Sequence, residues 1–165
     1  MCVRSIVSND WAAIHQLELD SYSQLAPESI DTLRSKWLVA PEFCFVYAIS
    51  NTVVAYLLAH PWNNKTPPKL HQRLRVDDLG VADLQCSPLF LHDLVVSREH
   101  AGNGIGSSLF SRLLSVAKAY NISSINLVAV EGAHTYWQRH KFQIVSEQVI
   151  DECYGSDAYT MTLSV

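Results

Sequence analysis

Apolar positions follow two different periods along this chain, and the sharpest change between them falls within residues 89–120. Leu89, Phe90, Leu91, Leu94, Val95 and Val96 make an apolar strand interrupted only by His92 and Asp93. Ile105, Leu109, Leu113, Val116/Ala117 and Tyr120 then recur at i, i+4, i+8, i+11/12 and i+15, one apolar face of a 3.6-residue period. Between strand and helix sit Gly102, Asn103, Gly104, Ile105 and Gly106.

Elsewhere the pattern predicts a strand at residues 3–7, then a helix through Asp10, Trp11, Ile14 and Leu17 capped by Ser8 or Asn9. A second helix is expected from Pro27, with Ile30, Leu33, Trp37 and Leu38 on one face and residues 20–26 as the linker before it. Residues 43–49 and 52–60 read as a hairpin turning at Ser50-Asn51. Residues 61–88 carry no clear period. A structureless loop of that length is unusual in a compact domain, so a short helix is expected near 69–75, with the segment serving as a lid or acceptor-side wall. Residues 123–130 read as a strand parallel to 89–96, because a helix crosses between them. Residues 142–150 and 158–163 read as a closing antiparallel pair.

A strand that feeds a glycine-rich turn at a helix N-terminus is an anion site. Glycine lets the backbone approach a ligand, and the first helical N–H groups point at it, with phosphate the expected guest. The spacing Gly-x-Gly-x-Gly meets neither the dinucleotide fingerprint nor the Walker loop. A tight connection with no ligand is the alternative reading.

Val96-Ser97-Arg98-Glu99-His100-Ala101-Gly102-Asn103-Gly104-Ile105-Gly106 resembles motif A of the GNAT superfamily of N-acetyltransferases, in which this loop holds the pyrophosphate of acetyl-coenzyme A. Ala101 stands where that family opens the loop with Arg or Gln. The segment from Ala133 through Tyr136-Trp137 to Phe142 resembles the family's closing segment, with a short helix at 134–140. The resemblance covers about residues 43–165. It implies a mixed α/β (α+β) fold of the GNAT acyl-CoA N-acyltransferase type: a central mixed, mostly antiparallel sheet flanked by helices, its fourth and fifth strands parallel and splayed around the cofactor. The cofactor contacts it implies are Leu94, Val95 and Val96 on the strand, Ala101, Gly102, Asn103, Gly104, Ile105, Gly106 and Ser107 in the loop, and Trp137 and Arg139 beyond.

The chain has 165 residues, 48% hydrophobic and 17% charged, which suits one domain over 1–165 burying roughly 70% of its unfolded surface. A net charge of −4 with dispersed Lys and Arg argues against a nucleic-acid partner and suits a small basic acceptor. Cys2, Cys44, Cys86 and Cys153 lie far apart, and the N-terminus lacks the apolar core of a signal peptide, so reduced thiols and a cytoplasmic location are expected. No apolar run approaches the ~20 residues of a membrane span. The seven histidines show no metal-ligand spacing.

Acetyl transfer to an amine needs a base, a donor for the oxyanion and a departing thiolate. Strand alternation puts His92 and Asp93 on opposite faces, with Glu131 at the end of the neighbouring strand. His92 is the favoured base, since Leu91-His92-Asp93-Leu94-Val95-Val96 is similar to the Leu-His-Ala-Leu-Ala-Val of arylalkylamine N-acetyltransferases; a core histidine is the alternative. The resemblance implies an oxyanion N–H near Leu94, Val95 or Val96, freed by a β-bulge. The family's leaving-group tyrosine position is Trp137 here, and Tyr136 lies about 100° away on the helix. Glu18, Asp20, Tyr22 and Glu28 are candidates to contact the amine. The Ala-His-Pro-Trp and Tyr154-Gly155-Ser156-Asp157-Ala158 segments resemble a bacterial subset described only as acetyltransferases. Acetyl-coenzyme A as cosubstrate, a small amine or protein N-terminus as acceptor, and a homodimer among the assembly states are the expectations. Two alternatives stay open: a non-catalytic acyl-coenzyme A binding or sensing module, and an interaction protein without a cofactor.

Overall fold

The computed structural model describes residues 2–81, 86–145 and 150–165. Among them, β1 (Cys2–Ser5), β2 (Phe45–Ile49), β3 (Thr52–Pro61), β4 (Leu89–Val96), β5 (Ser124–Ala129), β6 (Gln143–Ile144) and β7 (Tyr159–Ser164) form one sheet in the order β1-β2-β3-β4-β5-β7-β6. Every neighbouring pair is antiparallel except β4 and β5. The helices are α1 (Trp11–Ser21), α2 (Ile30–Val39), α3 (Ile105–Ala119) and α4 (His134–Arg139), and none is long and apolar enough to cross a membrane.

Two apolar layers sandwich the sheet. Leu109, Phe110, Leu113 and Ala117 of α3 pack with Phe45, Leu57 and Leu91 on one face. On the other, Trp11 and Ile14 of α1 and Leu33 of α2 meet Val46, Tyr56, Leu58 and Val95. β3 is covered on both faces, which is why its sequence shows a continuous apolar run. The hairpin before it turns through Ser50 and Asn51, both at positive φ (49° and 68°), the geometry of a tight two-residue turn.

Several boundaries differ from the sequence expectation, for local reasons. β1 begins and ends earlier than residues 3–7. Neither Ser8 nor Asn9 caps the first helix: Asp10 reaches back to the Val7 N–H (2.8 Å) while holding Arg4 through two 2.7 Å contacts. The second helix starts at Ile30, not Pro27, because the Ser29 hydroxyl accepts the Thr32 N–H. Its buried face carries Leu33 and Lys36, whereas Leu38 is exposed. Residues 69–75 form no helix; the short 3-10 turn comes later, at Val76–Leu79, closed by Gly80 at φ 65°. Phe43 belongs to a 3-10 turn, and the strand expected at 142–150 is described only as Gln143–Ile144. Parts of these two predicted segments, 82–85 and 146–149, lie outside the described residues.

The Asp10 contacts yield a pH-dependent contribution. The Arg4 guanidinium outweighs burial and holds the Asp10 carboxyl below its ordinary value of 3.8, so the stabilisation is fully present above that pH and is lost as pH falls through the lower folded value. We expect Asp10→Asn to lower stability by about 1 kcal/mol at pH 7, discounted for the partly exposed Arg4, with the gap to wild type closing below pH 3.8. Urea unfolding at pH 7 and pH 3 measures it; an equal gap at both would refute the capping role.

Candidate active site

β4 and β5 pair only at Leu89↔Ile125 and Phe90↔Asn126, although both strands run on for several residues. Past that point they part, leaving a slot of about 310 Å3 lined by Leu94, Val95 and Val96 on one side and Leu127, Ala129 and Glu131 on the other. The slot continues through Leu94, Val96, Ala133 and Trp137 into a cleft of about 540 Å3 at the glycine loop. Ala101, Gly102, Gly104, Ile105, Gly106, Ser107 and Arg139 line that cleft. Asn103 instead donates from its side chain to the His100 carbonyl (3.2 Å), bracing the loop.

Gly104 occupies the left-handed region at φ 75° and turns the chain into α3. The first helical bond of α3 runs from the Ser108 N–H to the Gly104 carbonyl, so the N–H groups before it have no helical acceptor and lie at the positive end of the dipole, on residues that line the cleft. Gly106 serves a different need. A Cβ there would lie 2.7 Å from the Tyr136 hydroxyl and 3.3 Å from a Leu94 methyl.

Tyr136 is therefore a cleft residue beside the glycine loop, with a buried hydroxyl that has no hydrogen-bond partner in the protein. Burial pushes its phenol pKa up. Trp137, one residue on, is buried against Phe110 (5.7 Å between ring centroids) and Phe142 (5.3 Å) while its edge reaches both slot and cleft. Lys141 ends α4 in the left-handed region at φ 69°, where its N–H bonds the Gln138 carbonyl.

The predicted base region differs from plain strand alternation. The β3–β4 register runs Leu58↔Asp93 and then Ala59↔Leu91, so His92 is the extra residue of a β-bulge. The bulge thus sits at His92, not within residues 94–96. It brings His92 and Asp93 into one buried polar cluster with Glu18, Glu28, Lys36, Tyr22 and Tyr56, correcting the expectation of opposite faces. The His92 Nε2 lies 2.6 Å from Glu28 Oε2, and its Nδ1 is buried without a partner. Burial and the nearby Lys36 push the His92 pKa below 6.5 despite Glu28, so the ring is neutral near pH 7. Donation of Nε2–H to Glu28 then leaves the Nδ1 lone pair free. Burial alone would push the Glu28 carboxyl up; His92, Lys36 and the His71 N–H outweigh it and hold the carboxyl below the usual range.

Asp93 accepts from Tyr22 (2.5 Å), and its other oxygen lies 2.6 Å from the Tyr56 hydroxyl, which is also 2.7 Å from Glu18. Burial and the neighbouring Glu18 push Asp93 well above the ordinary carboxylate range, against the pull of the Tyr22 and Tyr56 hydroxyls.

Glu131 lines the slot with its carboxylate already engaged. Its backbone is left-handed (φ 50°), and its carboxylate accepts the N–H groups of Gln24 (2.7 Å) and Leu25 (3.3 Å), pinning the α1–α2 connection over the site. Of the amine-contact candidates, Glu18, Tyr22 and Glu28 join the cluster, whereas Asp20 is exposed and bonds Gln16. Sequence reasoning missed Lys36 and Tyr56. Lys36 follows Leu33 at i+3 on the buried face, a signal readable only if a charge is allowed into an apolar stripe.

The splayed parallel pair, the glycine loop at the mouth of α3 and the closing α4 segment together line one continuous slot and cleft. The sequence model of the acetyltransferase (GNAT) family matches residues 11–142, and the chain belongs to that family. No curated protein matches the sequence. Among solved structures, the chain is similar to the loading GNATL domain of CurA from Lyngbya majuscula (12% identity over 99% of this chain and 96% of that one, TM-score 0.79). It is also similar to Ard1 from Thermoplasma volcanium (16%, 99% and 97%, 0.74) and to Arabidopsis thaliana Naa50 in complex with the bisubstrate analogue CoA-Ac-MVNAL (15%, 99% and 98%, 0.72). At these identities the likeness shows the fold alone.

The tight approach at Gly106 is testable. Gly106→Ala is expected to displace the Tyr136 ring and cost about 1–2 kcal/mol by overpacking, and Tyr136→Phe in the same chain is expected to recover most of it. Melting temperatures of the two variants decide; no recovery in the double variant would show that the Leu94 contact, not the hydroxyl, sets the constraint.

Proposed function

We propose that this chain transfers the acetyl group of acetyl-coenzyme A to a primary amine, of a small molecule or a protein N-terminus, by direct attack in a ternary complex. The observation that carries the reading is the slot: β4 and β5 part beside a helix N-terminus with free N–H groups, and a neutral histidine with a free ring nitrogen stands at the slot wall. The neighbouring Naa50 structure holds a coenzyme A bisubstrate analogue in the same fold.

In this reading the backbone of Leu94, Val95 and Val96 takes the pantetheine arm, and the N–H groups of the glycine loop take the diphosphate. His92 accepts a proton from the incoming amine at Nδ1, and Glu28 holds the imidazole in that tautomer. The amine lone pair then forms the C–N bond, and collapse of the tetrahedral intermediate breaks C–S. A thiol of pKa about 8.5 is a fair leaving group without an acid, so the departing thiolate does not require Tyr136. Tyr136, beside Gly106, is assigned to the cofactor's phosphate end. Asp93 and Glu131 hold the acceptor side in place. Ala101 removes one side-chain contact from the loop and leaves its backbone donors, which weakens the site for its ligand without deleting it.

Acetyl-coenzyme A or coenzyme A at 100 times its dissociation constant is expected to stabilise the chain by about 2.7 kcal/mol, with no shift from NAD. No shift from either would sink the reading in favour of an interaction protein. Binding without amine-dependent thiol release would favour the non-catalytic acyl-coenzyme A module.

The base assignment has its own test. With the His92 pKa below 6.5, the base limb of kcat/KM lies on the acid side of that pH. His92→Ala is expected to lower kcat by 10²–10⁴-fold and to abolish that limb; an unchanged profile would remove His92 from the mechanism.

A further inference from the structure

Among the described residues, Lys36 alone of the Lys and Arg side chains is buried (0% exposed), and the transfer described above gives it no part. It stands on the inner face of α2, three residues after Leu33. Its Nζ reaches Glu28 Oε1 at 3.0 Å, Glu28 Oε2 at 3.1 Å and the Gln72 carbonyl at 3.3 Å. Burial pushes its pKa below the ordinary 10.5, with Glu28 opposing, and three acceptors match the three N–H groups of an ammonium.

Glu28 is filled from its own side. Besides the Lys36 contacts, Oε1 accepts the His71 N–H (2.6 Å) and Oε2 lies 2.6 Å from His92 Nε2. Four contacts over two oxygens are the full acceptor capacity of an ionised carboxylate. Lys36 and His92 therefore share one buried anion. A charge on both would leave a surplus cation among side chains no more than 4% exposed, which is costly. With the ammonium in place, His92 serves Glu28 as a neutral N–H donor, and its unpartnered Nδ1 keeps a lone pair.

The other titratable groups around the ring are Glu18 on α1, Tyr22 at its end, Tyr56 and His60 on β3, Asp93 on β4 and Tyr154 from the 152–154 turn. Burial drives the three phenols and Asp93 toward their uncharged forms and holds His60 down to about 3, so it is neutral as well. Glu18 favours charge on His92; burial and Lys36 oppose it.

We infer that Lys36 is a positioning residue for the transfer: as the cation matched to Glu28, it reserves the His92 imidazole as an uncharged proton acceptor. The inference rests on the amine-transfer reading, with His92 as base, and names the group that holds that base ready. Without the ammonium, Glu28 draws its counter-charge from the ring. Since Nε2–H already faces Glu28, the added proton goes to Nδ1 and closes the nitrogen that accepts from the amine. The sign follows: losing Lys36 raises the pH at which His92 becomes a base.

Two readouts on the full chain test this. Ring ¹H–¹⁵N spectra, assigned against His92→Ala, give the charge and tautomer of His92 without turnover. The pH profile of kcat/KM for thiol release from acetyl-coenzyme A uses the faster of propylamine and tetra-alanine amide; where neither turns over, the ring titration decides alone. Wild-type His92 is expected to be neutral at pH 7 with its proton on Nε2. In Lys36→Met its titration should move up by about 1–3 pH units, and the base limb with it. Relative to wild type, kcat/KM should then fall about tenfold or more at pH 6.5 and recover above about pH 9. Lys36→Met/Glu28→Gln removes both charges and should return the titration below 6.5, a rescue that a merely structural lysine would not allow. An imidazolium in wild type at pH 7, an unchanged titration in Lys36→Met, or a loss of rate equal at every pH overturns the role of Lys36. If Lys36→Met does not fold, the double variant decides, and a His92 titrating above 6.5 there overturns it. A ring that shifts while the rate profile stays fixed removes His92 as base and Lys36 with it. Failure of the transfer reading is seen separately, as no melting shift with acetyl-coenzyme A.

Discussion

The parting of β4 from β5 is the constraint on which the rest of the molecule depends. A parallel pair held by only two residue pairs leaves backbone polar groups unmatched along the inner edges of both strands. Water or a ligand must satisfy them, and the fold keeps that ladder open by bracing each strand on its outer side. β4 is held along its length by β3, and β5 by β7. The glycine loop lies at the wide end because the chain must turn sharply from β4 into α3 there, so one turn both spares the slot and aims helix N–H groups at it.

A second cost sits on the acceptor side. Glu18, Glu28, Lys36, His92 and Asp93 occupy volume that apolar side chains could fill, and a buried ionic group of this kind is weak evidence for stability. The surrounding layers of Trp11, Ile14, Leu33, Leu58 and Val95 offset it on the same face of the sheet.

The elements with strong periods were legible. Residues 89–96 and 105–119 match the pattern because their apolar positions face one extensive core, and the 50–51 turn follows from Asn tolerating positive φ. The glycine loop was legible from residue type as a sharp turn into a helix N-terminus. The acceptor side was not. Tyr56 is buried through Asp93, 37 residues away, and Lys36 through Glu28, which precedes the helix instead of lying on its apolar face. The start of α2 was misplaced because a serine hydroxyl outweighed a proline, and Asp10 was missed as a cap because its partner Arg4 lies in the preceding strand.

The error at His92 shows how the two halves of the site are joined. Alternation along an unbroken β4 would put His92 and Asp93 on opposite faces, and then either the imidazole or the carboxyl would lie with α3, away from Glu28 or from Tyr22. One extra residue in β4 removes that conflict. His92 and Asp93 share a face, while Leu94 and Val96 keep the orientation that lines the slot. The bulge costs one ladder position in the middle of the sheet, where β3 is buried on both sides. Its location matters to the cluster: moved two residues along, it would leave His92 and Asp93 on opposite faces of β4.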